Sequence, residues 1–407
     1  MSAPDQAARE ALVAQWSDFC ERMKREGEGL LSGARGELSS QEIAEGVRHL
    51  ARQAVYTLQT RVEFGDPDFP RFHRVCDDRI SWGAPHNDNT YLVASLRPDA
   101  TYVIRGHLHG RVAVWGKLWS NAPHFMFEPD GGFRITLSAE PAEGNWIKLE
   151  PNAPRGDEGL PGPYPGLGGR LMLKIYHEDW GSEAPQPWMT IERVDAAAPT
   201  RPEPLRLERL TANLQDAGEL FTRNEAFYDE HQELMHGMVG PNELAPPVPA
   251  IIPNLKPGVG TEAPLVYGFG WFELGDDEAL LVESEVPQQG QWAFQLYSRW
   301  YEAVDFQNRQ SSVNKRQAYI DSDGLFRAVV AAEDPGAPNW LDTGGLQRGW
   351  LLYRWLKTEI RPTARARLVR TDELSGLLPA DHPKIAPQER ARAVKARAVS
   401  IARRFQQ

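Results

Sequence analysis

The chain has 407 residues, 41% of them hydrophobic and 25% charged, which is globular composition at a length too great for one ordinary core. Two domains are therefore expected, and the formal net charge of −11 argues against a nucleic-acid partner, which calls for a basic footprint. Cys20 and Cys76 are the only cysteines, so no disulfide framework is indicated and a reducing compartment is the simpler expectation.

The polar stretch from Met1 to Glu10 lacks the apolar segment of a secretion signal, and no apolar run is long enough to span a bilayer. A cytoplasmic protein without membrane insertion is expected. Leu12, Trp16, Phe19 and Met23 recur every three or four residues and predict a helix over 5–31. Ser39 followed by Glu42 is a capping-box signature. Ile43, Val47, Leu50, Ala54 and Leu58 continue one helical face until Gly65-Asp66-Pro67 stops it.

From about residue 85 the pattern changes to short β-rich runs at 90–93, 102–104, 112–115, 133–137, 171–176 and 189–193, separated by Gly, Pro, Asn and Asp. A Pro-rich linker at 196–204 leads into helical spacing over 205–236. Residues 240–264 are then rich in Pro and Gly, a loop long enough to be functional. A second β unit has runs at 280–286, 292–297, 326–330 and 350–355. The tail sets Ala391, Val394, Ala398, Ile401 and Phe405 on one helical face. Arg390, Arg392, Lys395, Arg397, Arg403 and Arg404 lie on the other, which predicts a docked helix with a solvated basic face, the alternative being a basic amphipathic helix that touches a membrane or an acidic partner.

The two β units repeat one another. Asp130-Gly131-Gly132-Phe133-Arg134 leads to Ala139-Glu140 and Asn145-Trp146; Asp323-Gly324-Leu325-Phe326-Arg327 leads to Ala332-Glu333 and Asn339-Trp340. The expected fold is mainly β with flanking helices (α+β): two tandem antiparallel β-sandwich or jelly-roll units related by internal duplication. The segments are a helical 1–84, sandwich 85–195, connecting 196–264, sandwich 265–372 and a helical 373–407. Thirteen tryptophans are expected mostly to fill these cores, a few of them lining a pocket.

Fingerprints for nucleotide, metalloprotease or serine-hydrolase chemistry are missing, so no cofactor is expected. His86-Asn87-Asp88-Asn89-Thr90-Tyr91 packs an imidazole, a carboxylate, two amides and a phenol into six residues, the groups for proton exchange with a polar ligand head. The same six residues are also ordinary turn chemistry. His107 and His109, two apart on a strand, share a face, with His124 as the nearby third nitrogen. No carboxylate follows them, so a metal site there is only the fallback. In the second unit Asn314, Arg316, Asp342 and Arg348 are candidate substrate-binding groups alongside Asn89. Asp342 and Arg348 are equally able to pair with each other.

Asp88-Asn89-x-Tyr91, Asp179-Trp180 ahead of Ile191-Glu192-Arg193, and Pro338-Asn339-Trp340-Leu341-Asp342-Thr343-Gly344-Gly345 resemble the bacterial domain-of-unknown-function family twelve-fourteen, over about residues 85–405. The resemblance implies a β-sandwich or jelly-roll fold and carries no catalytic residues with it.

The leading functional expectation is a cofactor-independent acid–base enzyme, of lyase, isomerase or hydrolase type, on a small, largely apolar metabolite such as a terpenoid, steroid or aromatic. His86 or Asp88 is its base and Tyr91 its acid or orienting donor. The alternatives are a non-catalytic carbohydrate- or ligand-binding sandwich and a metal-dependent jelly-roll enzyme. The polar cluster is expected to sit in a cleft between the units.

Overall fold

Ser39 starts its helix as the spacing predicts: Glu42 N–H donates to Ser39 Oγ at 3.2 Å, and Ser39 N–H donates to the Glu42 carboxylate at 2.9 Å. The computed structural model describes residues 3–33, 36–81, 83–115, 118–149, 170–249 and 265–405. Helix α1 runs over Ala3–Leu31 and α2 over Ser40–Leu58, the latter followed by one wide π turn at Gln59–Glu63. Phe19 of α1 is buried, whereas Trp16 of the same stripe faces solvent, so the apolar face is narrower than its sequence spacing implies.

The first sandwich is built from β1 (His73–Cys76), β2 (Asn89–Ser95), β3 (Tyr102–His107), β4 (Val112–Trp115), β5 (Leu118–Trp119), β6 (Gly132–Ser138), β7 (Asn145–Lys148), β8 (Arg170–Tyr176) and β9 (Trp188–Arg193). Helix α3 (Leu207–His236) crosses to the second sandwich and packs on α1 and α2. That sandwich holds β10 (Leu265–Glu273), β11 (Glu278–Ser284), β12 (Gln291–Tyr297), β13 (Ser312–Asn314), β14 (Phe326–Ala331), β15 (Trp340–Asp342), β16 (Arg348–Leu356) and β17 (Arg365–Arg370). A short α4 (Leu374–Leu377) and a long α5 (Pro387–Phe405) close the chain. No helix among the described residues is long and apolar enough to cross a membrane.

The two sandwiches share one strand order. The larger sheets run β1-β2-β8-β4-β5 and β10-β16-β12-β13; the smaller run β7-β6-β3-β9 and β15-β14-β11-β17. Replacing β2 to β9 by β10 to β17 in turn converts one unit into the other, with β1 as the only addition. Each smaller sheet ends on a short parallel strand, β7 beside β6 and β15 beside β14, where the sequence suggests antiparallel pairing throughout.

The shared motifs do the same work in both copies. Gly131 and Gly324 each take a left-handed φ of 84°, which only glycine adopts without strain, so each Asp-Gly turn is fixed by its backbone. Asn145 accepts the Met126 N–H at 2.8 Å and donates to the Met126 and Arg134 carbonyls at 2.7 and 3.1 Å. Asn339 accepts the Tyr319 N–H at 2.8 Å and donates to the Tyr319 and Arg327 carbonyls at 2.7 and 2.8 Å. Each asparagine thus ties the segment before the turn to the strand after it.

Strand alternation separates core from site. In β8, Leu171, Leu173 and Ile175 enter the first core while Met172, Lys174 and Tyr176 point away from it. In β16, Leu351, Tyr353 and Trp355 enter the second core while Leu352, Arg354 and Leu356 point away. The outward faces of the two larger sheets look at each other, and the space between them is the candidate site.

Helix α5 corrects the expectation of a solvated basic face. Arg390, Arg397 and Arg404, spaced seven apart and so on one side of the helix, are buried, while Ala391 and Val399 are exposed. Arg397 and Arg404 lie over the Trp180 ring, 4.2 and 4.8 Å from its centroid. Arg397 also donates to the Phe306 and Ser312 carbonyls and to Ser312 Oγ, and Arg404 donates to the Asn87 carbonyl.

Candidate functional site

A cavity of about 130 Å³ lies between the larger sheets, closed on a third side by α3. Its wall takes Asn89 and Tyr91 from β2, Met172, Lys174 and Tyr176 from β8, Tyr267 from β10, Arg354 from β16, and Phe227, Tyr228 and His231 from α3. The segment 83–88 completes it with His86 and Asp88. That segment is stitched to the second sandwich. Asn87 N–H donates to Gln295 Oε1 at 3.0 Å, Gln295 Nε2 donates to the Pro85 carbonyl at 2.9 Å, and Tyr297 Oη donates to the same carbonyl at 2.9 Å. A cluster read from the first unit is thereby held at the meeting of both.

Within the cluster each group has a defined state. Asp88 is buried; Trp180 Nε1–H and Asn314 Nδ2–H donate to its Oδ1 at 2.7 and 3.0 Å. Burial pushes its carboxyl up to about 6, against Arg404, the two hydrogen bonds and Arg397, all of which favour the anion. His86 Nδ1 accepts the Asp88 N–H at 3.1 Å, so its neutral form carries the proton on Nε2. Burial, with Arg354, Arg404 and Lys174 nearby, holds that imidazole well below its ordinary value and therefore neutral. Tyr91 Oη accepts from His86 N–H at 2.9 Å and Asn89 Nδ2–H at 3.3 Å, which occupies both lone pairs and leaves its proton to be donated. Burial raises the phenol, keeping that proton in place.

The other sequence candidates are distributed differently. Asn89 lines the cavity and its Oδ1 is buried without a partner among the described residues. Asn314 does not line it but positions Asp88 from behind. Arg316 is exposed, 4.0 Å from Glu178. Asp342 and Arg348 neither reach the cavity nor pair with each other. Asp342 binds Arg309 at 3.0 Å and caps the Gly344 N–H, while Arg348 binds Glu42 at 2.6 Å and so ties β16 to α2. These two are clamps on the second sandwich, Asp342 to a neighbouring loop and Arg348 to helix α2.

The three fallback histidines do not assemble. The strand ends at His107, and His109 enters the turn at a φ of +49°, which stacks the two rings 3.8 Å apart, while His124 is exposed. Among the described residues no three His, Cys, Asp or Glu are grouped to hold a metal ion. Of the described tryptophans, Trp292 alone lines the cavity; the flat surfaces there are tyrosines and Phe227 instead. The Pro-rich stretch expected to cover the cleft lies outside the described residues over 250–264.

Lys174, Tyr267 and Arg354 are among the cavity residues that the sequence did not single out. Lys174 lies in register with Tyr91, its Nζ 5.7 Å from the ring centroid, and Arg354 lies in register with Tyr267, its guanidinium 5.4 Å from that ring. Lys174 and Arg354 are each a charged residue in the interior of a largely apolar strand that begins on an arginine, at matching places of the two units.

The architecture and the cavity thus define a two-sandwich protein with a mainly apolar pocket, carrying a few polar and charged groups, at the junction of its units. Residues 276–359, within the second sandwich, match the family described as protein of unknown function (DUF1214), a narrower span than 85–405. The chain is similar to an uncharacterised protein from Burkholderia cenocepacia of known crystal structure. The two are 27% identical, with a TM-score of 0.77 over 90% of this chain and 99% of that one. A Vibrio parahaemolyticus protein aligns over 86% of this chain and 99% of its own at 13% identity and a TM-score of 0.40. No curated protein matches the sequence.

Proposed function

We propose that the junction cavity binds a small, largely apolar metabolite and that the protein acts on it as a cofactor-independent acid–base enzyme of lyase, isomerase or hydrolase type. The observation that carries this reading is the convergence of Asp88, His86 and Tyr91 on one cavity in complementary proton states. A carboxyl shifted to about 6 suits a general base near neutral pH, and Asp88 Oδ2 is the oxygen not taken by Trp180 and Asn314. Tyr91 Oη–H and His86 Nε2–H are the donors that steady developing negative charge on a substrate oxygen. This assigns the base to Asp88 and makes His86 an orienting donor.

The second reading is binding without turnover. It is favoured by the bonds that already commit Asp88 Oδ1 and by the buried arginines beside that carboxylate. The shared strand order and the matched asparagines support descent of the two units from one duplicated ancestor, and two cysteines that form no disulfide support a reducing, cytoplasmic setting. To test the enzyme reading, purified protein is incubated with fractionated small-molecule extract and consumption is followed by mass spectrometry, with Asp88→Asn as control. Consumption by wild type and none by the variant is expected. Equal consumption by both, or none by either while ligand is retained, leaves only the binding reading.

A further inference from the structure

We propose that the cavity recognises its ligand through a carboxylate held by Arg354, with a flat body of about one ring lodged among the tyrosines. The proposal rests on the junction cavity being the ligand site. Arg354 is 5% exposed and lines that cavity. One arm of its guanidinium is used: Nη2 donates to the Ala84 carbonyl at 3.1 Å and to Tyr297 Oη at 2.6 Å. The other arm is not. Nη1 is buried and has no hydrogen-bond partner among the described residues.

The electrostatics point the same way. No carboxylate pairs with Arg354 among the described residues, and the groups that face it are phenols: Tyr297, Tyr267 and Tyr91. A guanidinium cannot shed its proton at any ordinary pH, so burial without an anion leaves a charge that several kcal/mol of lost hydration oppose. Among the described residues the one carboxylate on the cavity wall, Asp88, is committed to Trp180 and Asn314 and sits beside Arg404 and Arg397. Lys174 adds a second cation to the wall. A ligand anion supplies the missing partner, and the planar fork of Arg354 suits a carboxylate.

The remainder of the wall describes the ligand's body. Tyr91, Tyr228, Tyr267, Tyr301 and Phe227 supply ring faces and edges. The volume of about 130 Å³ is close to that of a cavity of about 150 Å³ known to take benzene. An aromatic or alicyclic monocarboxylate fits both features. Tyr91 Oη–H provides a second donor for the same head group.

The test compares benzoate and cyclohexanecarboxylate with benzamide and cyclohexanecarboxamide, by titration calorimetry on wild type and on Arg354→Gln. The acids are expected to bind wild type about tenfold or more tightly than their amides, the range for a hydrogen bond to a charged group. Arg354→Gln is expected to lose that advantage while keeping its affinity for the amides. Because Nη2 also ties down the segment at Ala84, the variant's fold is checked by circular dichroism. Should it not fold, the acid-to-amide ratio on wild type decides alone. Equal binding of acid and amide, amide preferred, acid binding unchanged in a folded Arg354→Gln, or no acid binding at millimolar concentration each overturns the inference. Acid binding with no turnover of any substrate retires the enzyme reading and keeps this one. Amide binding without acid binding retires this one and keeps the cavity.

Discussion

Lys174 and Arg354 hold the same place in the two sandwiches: each projects from the central strand of a larger sheet, each lies in register with a tyrosine of the neighbouring strand, and both line one cavity. The relation follows from the shared strand order. When two copies set the outer faces of equivalent sheets against each other, equivalent residues meet. Any group kept on that face is then presented twice to the space between them. A domain junction is also where ligand sites concentrate, because neither core fills it.

The equivalence of the copies is testable in their scaffold. Asn145 and Asn339 each make three hydrogen bonds to backbone, and both are buried. Asn145→Ala and Asn339→Ala are each expected to cost about 2 kcal/mol or more, since buried backbone groups lose their partners. Chemical denaturation measures both. A neutral effect at one position and a large one at the other would show that the motif is structural in one copy only.

Asp88→Asn separates chemistry from scaffold. The amide oxygen still accepts from Trp180 and Asn314, and the carboxylate it replaces is one whose burial opposes its charge. Stability at pH 7 is expected to hold or rise, since the neutral amide avoids the cost of the buried charge, while ligand turnover is lost. The sign of the pH effect is fixed as well. A carboxyl raised from 3.8 to about 6 contributes stability that is present below 3.8 and lost as pH rises through 6, so the variant's melting temperature should change less over that window. An unfolded variant would instead make Asp88 a structural counter-ion to Arg397 and Arg404.

Much of the architecture was legible because it is periodic or repeated. The capping box at Ser39, the helical spacing of 205–236 and the twin Asp-Gly and Asn-Trp motifs each translate into local geometry, the helix starting at Leu207. The cluster at 86–91 was legible as a concentration of polar groups, and it does line the cavity. Arg354 was not, because a charged residue inside an apolar strand says nothing of which sheet face meets which. Asp342 and Arg348 misled for a related reason: their partners, Arg309 and Glu42, are supplied by a neighbouring loop and by a distant helix. The arginines of α5 misled because helical spacing marks a face without saying whether it meets solvent or the acceptors of the β unit.

A second pH effect is predicted behind the cavity. His49 of α2 is buried between two carboxylates, Glu302 at 2.9 Å from Nδ1 and Glu225 of α3 at 3.2 Å from Nε2. Arg52 pairs with the far oxygen of Glu302, and Tyr228 and Trp300 pack on the imidazole ring. Burial opposes the imidazolium, but the two carboxylates outweigh it and raise His49 to about 9. The stabilisation is therefore fully present below 6.5 and lost as pH rises from there through 9. It amounts to roughly 3 kcal/mol if the whole rise is realised. Thermal melts of wild type should fall across this window, and those of His49→Gln should start lower and fall less. Parallel curves for the two proteins would remove His49 as the source.

The last prediction concerns α5. Arg397 donates to the Phe306 and Ser312 carbonyls and to Ser312 Oγ, and with Arg404 it encloses Trp180, whose indole N–H in turn holds Asp88. The terminal helix is thus connected to the candidate base through one aromatic ring. Arg397→Leu keeps helix propensity and apolar bulk but removes three buried hydrogen bonds, of which the one to Ser312 Oγ leaves an acceptor still held, by Asn87 Nδ2–H, an expected loss of about 3 kcal/mol. Its effect should not stop at stability. With one face of Trp180 released, the hydrogen bond to Asp88 Oδ1 loosens, and the rate-against-pH profile of any turnover should move at its acidic limb, where Asp88 titrates. Arg392→Leu, on the exposed side of the same helix, should change neither measurement. An Arg397→Leu protein with wild-type stability, or one that is destabilised yet keeps an unshifted acidic limb, would break the proposed link between the terminal helix and the site.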